Sequence, residues 1–140
     1  MNLEYAGKSP FYSDYEIGAW RLLVAVVCFV EQIPDPIHAL LDTGSEWCVL
    51  PPQVAIDLGF DLDTPEATIP LSTRFGLLYG RLERVWIRFA AAEGQPTEVQ
   101  TTCFLSEMWP GPMVIGWKGC LQWMRFGCEP AEEAFYFGEP

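Results

Sequence analysis

The sequence predicts a mainly β fold with one or two short helices, and three observations lead there. Apolar residues come in short runs, and residues 84–89 alternate strictly, with Val85, Ile87 and Phe89 on one face and Arg84, Trp86 and Arg88 on the other. Twelve glycines and twelve prolines punctuate the chain as turns between strands would. Half of the 140 residues are hydrophobic and 14% are aromatic, which is ample for one core.

Residues 1–19 are aromatic but poorly periodic and read as an N-terminal arm, with the domain proper over 20–140. Residues 20–30 are rich in valine, leucine and phenylalanine, the pattern of a strand covered on both faces. Two prolines and an aspartate in 31–36 mark a turn, and 37–41 is a second apolar strand ending at Asp42. Residues 47–50 are strand-like. Pro51 and Pro52 can open a helix over 53–58 that stops at Gly59, and 61–66 is loop. Residues 69–90 read as a long hairpin, 91–97 as a surface turn, and 98–105 as a strand paired with the one before it. A loop at 108–112 leads to the short buried strand Met113, Val114, Ile115, ending at Gly116. A second helix is expected over 117–124, and 125–128 with 135–137 form a closing hairpin around the acidic turn 129–133.

One segment carries chemistry. An apolar strand (Ala39, Leu40, Leu41) runs into Asp42, Thr43, Gly44 and Ser45, and the chain turns apolar again at Cys48, Val49 and Leu50. This brings one carboxylate to a tight loop. Gly44 allows a backbone geometry that a Cβ would hinder, and its N–H can point at the Asp42 carboxylate. Ser45 can orient that carboxylate through its hydroxyl. Peptide hydrolysis by carboxylates needs two of them around one water, sharing one proton, because like charges so close cannot both ionise. One takes a proton from the water while the other donates to the carbonyl oxygen. The motif occurs once, which amounts to half such a site. The plainer alternative is an Asx-type turn between two strands.

These residues resemble the retropepsin-like aspartic proteases, over roughly residues 20–138. Leu40 to Ser45 is similar to the family's catalytic loop, and Val114-Ile115-Gly116 to its second signature, whose glycine lies behind that loop in a ψ-shaped crossing. The resemblance implies a closed retropepsin-like barrel acting as a symmetric homodimer. Asp42 would then be catalytic, with its symmetry mate as the second acid, and Thr43 would lock the two loops across the axis. It implies a flap, a hairpin closing over bound polypeptide, with its tip at Leu71, Ser72, Thr73, Arg74, Phe75 and Gly76. The terminal strand ending in Phe135, Tyr136 and Phe137 would suit the dimer interface, or else be a sheet edge covered within one chain. No cofactor and no metal are required. Two departures stand out: Thr73, Arg74 and Phe75 replace a glycine-rich flap tip, which suggests a stiffer lid, and Trp117 and Lys118 follow Gly116 where a polar residue is usual. A Glu46–Lys118 pair could replace the usual contacts.

Composition sets the remaining bounds. Eight basic against 19 acidic residues give a formal charge of −11, which disfavours nucleic acid and anionic membranes as partners. Five cysteines without a C-x-x-C pair, and the single His38, offer no metal-ligand spacing. The odd cysteine count, a polar start and an apolar run of only nine residues (22–30) predict a soluble, cytoplasmic protein. Cys28 and Cys48 read as buried thiols, His38 as a strand residue outside the chemistry, and Asp57, Asp61 and Asp63 as solvated. Trp109 and Trp117 either line a substrate groove or simply pack. Two rivals to the protease remain at this level: a non-catalytic peptide-binding or dimerisation module of the same fold, and a small barrel binding an apolar ligand.

Overall fold

The computed structural model of the chain describes residues 4–63 and 68–140. Of the loop expected over 61–66, residues 64–66 lie outside the described residues. The strands in chain order are β1 (Gly7–Pro10), β2 (Tyr12–Ile17), β3 (Trp20–Val30), β4 (Ile37–Leu41) and β5 (Cys48–Leu50). After helix α1 (Pro52–Asp57) come β6 (Ile69–Thr73), β7 (Gly76–Phe89), β8 (Glu93–Gly94), β9 (Thr97–Leu105), β10 (Met113–Ile115), β11 (Arg125–Glu129) and β12 (Ala134–Gly138). The fold is mainly β with one short α-helix among the described residues.

Eight strands form one sheet in the order β2-β3-β4-β10-β5-β9-β7-β6, and β3 makes a second pairing to β7 at Phe29–Arg88 and Val30–Ile87. A four-stranded sheet has the order β11-β12-β1-β8. The alternation read in 84–89 is the alternation observed: Val85, Ile87 and Phe89 are fully buried and Trp86 is 47% exposed. They join Val26, Cys28, Leu50, Cys103, Ile115, Phe135 and Phe137 in the main core. A smaller cluster of Val49, Leu78, Phe104, Trp109 and Val114 packs with Trp47, Ile69 and Leu71.

Several expectations need correction. The segment read as an arm supplies two strands: β1 pairs with β12 and β8, and β2 with β3, while Phe11 between them is buried in the main core. Its polar alternation is weak because β2 is an edge strand with mostly exposed side chains. β3 is not covered evenly on both faces, since Leu22, Val26, Cys28 and Val30 are buried but Leu23 is 67% exposed. The helix expected over 117–124 is a turn followed by a 3-10 turn at Leu121–Trp123. Gly119 adopts φ +73 there, and the Leu121 and Gln122 N–H groups bond five residues back, to the carbonyls of Gly116 and Trp117, so no α-helical ladder forms. Helix α1 begins at Pro52, where the missing N–H costs nothing, and Gly59 closes it at φ +91.

The closing hairpin forms as expected, but β12 lies between β11 and β1 of its own chain, and Phe135 and Phe137 are fully buried. Neither the backbone of β12 nor these rings are open to a partner. The covered alternative holds for this strand.

Candidate functional site

The residues around Asp42 are placed by two short parallel strands. β4 and β10 pair at Ala39–Met113, Leu40–Val114 and Leu41–Ile115, so Asp42 and Gly116 leave the sheet side by side. The Asp42 N–H donates to the Ile115 carbonyl at 3.0 Å, extending the ladder one residue past β4. The chain then turns tightly: the Ser45 N–H donates to the Asp42 carbonyl at 3.1 Å, and the Gly44 N–H to Asp42 Oδ1 at 2.9 Å. A Cβ on Gly44 would come within 3.2 Å of that oxygen, so glycine here keeps the carboxylate uncrowded. The same N–H contact defines an Asx turn, so it does not separate the two readings of the motif.

Gly116 is what binds the loop to the strand behind it. A Cβ there would run into the Trp47 carbonyl and the Cys48 nitrogen, so only glycine lets the two backbones approach this closely. Around it, Trp117 N–H donates to the Ser45 carbonyl at 2.8 Å and Lys118 N–H to the Glu46 carbonyl at 2.7 Å. The expected ion pair is present, with Lys118 Nζ 3.1 Å from Glu46 Oε1. Both side chains are about half exposed, which limits its contribution to about 1 kcal/mol or less. The expected Ser45 contact is absent. Its hydroxyl donates instead to the Trp47 carbonyl at 2.7 Å, bracing the loop rather than the carboxylate.

Behind the loop lie four buried thiols, Cys28, Cys48, Cys103 and Cys120. The Gly116 N–H reaches Cys48 Sγ at 3.4 Å. Hydrogen bonds from Cys103 and Cys120 hold the Cys48 thiol low, and those same bonds, with burial, raise both partners. His38 lies outside the site, stacked on Tyr15 at 4.3 Å, and burial lowers its pKa. Among the described residues no cluster of three or more His, Cys, Asp or Glu could hold a metal ion. No helix there is long and apolar enough to cross a membrane.

Asp42, Gly44 and Ser45 face a cleft of about 620 Å³, with Ser72, Thr73, Arg74 and Phe75 of the β6–β7 hairpin on its other side. Of the site residues expected from sequence, Thr43 is exposed at the loop tip, Gly76 closes the hairpin turn, and Gly116 lies behind the loop. The hairpin turns at Arg74 and Phe75 between the paired residues Thr73 and Gly76. Thr73 Oγ1 accepts from the Phe75 N–H at 3.0 Å and donates to the Gly76 carbonyl at 2.9 Å. Gly76 takes φ +97, which a side chain would resist.

The sequence did not point to the third wall, formed by Trp20, Arg21, Leu22, Leu23 and Val24 at the start of β3. A run of apolar residues marks a strand without saying which end is open, and the exposed Leu23 follows only from the fold. Trp109 lines the cleft, whereas Trp117 stands outside it, edge-on to Phe126 at 6.4 Å.

No protein-family model matches the chain, and no curated protein matches it in sequence. Among solved structures, the fold is similar to that of a retropepsin-like aspartic protease from Rickettsia conorii, with a TM-score of 0.56 and 17% identity. The match covers 80% of this chain and 87% of that one. At that identity the likeness is one of fold: a mainly β architecture of the retropepsin-like kind.

Proposed function

We propose that the chain is an aspartic endopeptidase whose active site is completed by a second copy of itself. The observation that carries this reading is the single Asp42 carboxylate, held by the Gly44 N–H at one wall of a cleft of about 620 Å³ whose other lining includes the tip of the β6–β7 hairpin. Water-mediated peptide hydrolysis of this kind requires two carboxylates around one water. Glu46 is the other acid lining the cleft, and it is already engaged by Lys118. The second carboxylate is therefore Asp42 of a symmetry-related chain, with the exposed Thr43 beside it at the axis. Strand pairing through β3, β4, β10, β5, β9 and β7, with β7 paired back to β3, supports reading this sheet as a closed barrel beneath the floor.

In this reading the β6–β7 hairpin is the flap. A polypeptide lies extended beneath it, recognised by strand pairing and by the apolar lining of the cleft. The ionised carboxylate takes a proton from the water, and its protonated partner donates to the scissile carbonyl oxygen. No cofactor or metal takes part, and the reaction belongs in the cytoplasm.

Cleavage of an unstructured peptide library at mildly acidic pH tests the proposal. Asp42→Asn keeps an acceptor for the Gly44 N–H and should leave the fold intact while lowering cleavage by about a hundredfold or more. A variant as active as the parent would dismiss Asp42 from the chemistry. A second reading, a peptide-binding module without catalysis, draws on Trp117 and on Lys118, whose ammonium is committed to Glu46. It predicts peptide binding with no cleavage by the parent chain.

A further inference from the structure

The tip of the β6–β7 hairpin carries a phenyl ring that the turn itself does not need. Thr73 and Gly76 supply the hydrogen bonds and the positive φ that reverse the chain. Phe75 instead reaches across the cleft mouth and sits between two indoles. It meets Trp20 edge-on at 5.1 Å and 86°, and Trp109 edge-on at 5.4 Å and 77°. All three rings line the cleft that holds Asp42.

The Trp109 wall of this box is held independently of the β6–β7 hairpin. Trp20 has its backbone paired with Ile17 at the start of β3, outside that hairpin. Trp109 is 9% exposed, donates its Nε1–H to the Pro112 carbonyl at 2.8 Å, and lies against Gly111, where a Cβ would strike the indole ring. Neither indole belongs to the hairpin, so withdrawing Phe75 would leave two indole surfaces facing solvent. A ring of the same shape and quadrupole restores the lost contacts, whereas a methyl group cannot.

We propose that Trp20 and Trp109 form an aromatic subsite of the cleft, filled by Phe75 in the free chain and taken over by an aromatic side chain of a bound polypeptide. The inference rests on the protease reading only in that its ligand is a peptide. An incoming aromatic residue exchanges one edge-to-face pair of contacts for another, so it enters at little net cost. A peptide without a ring must displace Phe75 and leave the box unfilled, or bind with the hairpin down and the cleft partly blocked.

The test compares two capped peptides of alanine and serine, one with a central phenylalanine and one with alanine there. Binding is measured by calorimetry to the full chain carrying Asp42→Asn, so that cleavage does not intrude. The phenylalanine peptide should bind more tightly than the alanine peptide, and adding Phe75→Ala should tighten the phenylalanine peptide's own binding by about tenfold, because no internal ring then competes. Trp20→Ala should bring the ratio close to one, with a thermal melt confirming that each variant is folded.

Binding of the phenylalanine peptide that Phe75→Ala does not tighten, equal binding of the two peptides, or no binding of the phenylalanine peptide at millimolar concentration would each overturn the subsite. These outcomes do not depend on catalysis. A parent chain that cuts nothing but shows the expected ratios loses the hydrolase and keeps the subsite, while an active chain with a flat ratio does the reverse.

Discussion

Gly116 and Gly44 show how single atoms set the geometry around Asp42. At Gly116 an added methyl group meets backbone, the Trp47 carbonyl and the Cys48 nitrogen, which no rotamer change can move aside. Gly116→Ala should therefore destabilise the chain by about 2 kcal/mol or more, read as a drop in Tm on the order of 5–10 °C. It should also displace Ser45 and Glu46, whose carbonyls receive the N–H groups of the two residues after Gly116. An alanine variant that melts with the parent would mean that the strands can separate without loss. This close contact was legible in the sequence as a second apolar-apolar-glycine signature, and the Glu46–Lys118 pair as two opposite charges near the two turns. The role given to Ser45 was not. A hydroxyl two residues from a carbonyl has a local partner as near as the carboxylate, and the local one prevails.

At the level of elements, strands were easier to read than their surroundings. Long alternating stretches such as 84–89 fix both the strand and its buried face, because one slip in register would turn Val85, Ile87 and Phe89 outward. The residues after Gly116 read as helical from composition, yet Gly119 takes φ +73 and the Leu121 and Gln122 N–H groups reach back five residues, to Gly116 and Trp117, instead of four. The turn is tied to the loop through the Trp117 and Lys118 N–H groups, and such a tertiary contact leaves no mark in a propensity. Strands β1 and β2 were hidden for a related reason: one is four residues long and the other an exposed edge. The final hairpin was found, but the place of its second strand, β12, between β11 and β1 was not. Phe137 packs with tilted rings against Phe135 at 5.6 Å and Phe89 at 5.9 Å, joining the small sheet to the main core. Phe137→Ala should cost about 3–5 kcal/mol in chemical denaturation, whatever the concentration of chain. A loss that vanishes on dilution would indicate that these rings stabilise an assembly instead.

For the whole molecule, the decisive quantity is how many chains make one active site. If Asp42 acts with a symmetry mate, specific cleavage activity rises with protein concentration. Mixing the parent chain with an equal amount of Asp42→Asn should then lower the parent's activity to about half once subunits exchange, and a larger excess should lower it further. A single-chain enzyme would ignore the inactive variant altogether. The acidic charge of −11 predicts faster turnover of basic than of acidic peptides at low salt, a difference that fades as ionic strength rises.

The length of β7 has a mechanical consequence. This one strand of 14 residues carries the hairpin at its start and a sheet partner at its end: Gly80 is the last residue paired with Ile69 of β6, and Arg81 is the first paired with Leu105 of β9. Beyond Arg81 the ladder holds it rigidly to the body, and at Gly80 the Leu105 carbonyl lies where a Cβ would be. Leu78, buried against Val49, Phe104, Trp109 and Val114, and the Tyr79 carbonyl, which accepts from the Ser106 hydroxyl at 2.8 Å, hold the near part of the projecting half to the body as well, so the free arm is its tip, 72–77. In the proposed reading, bending of that tip beyond Leu78 lifts Phe75 clear of the indoles without disturbing the floor on which Asp42 rests.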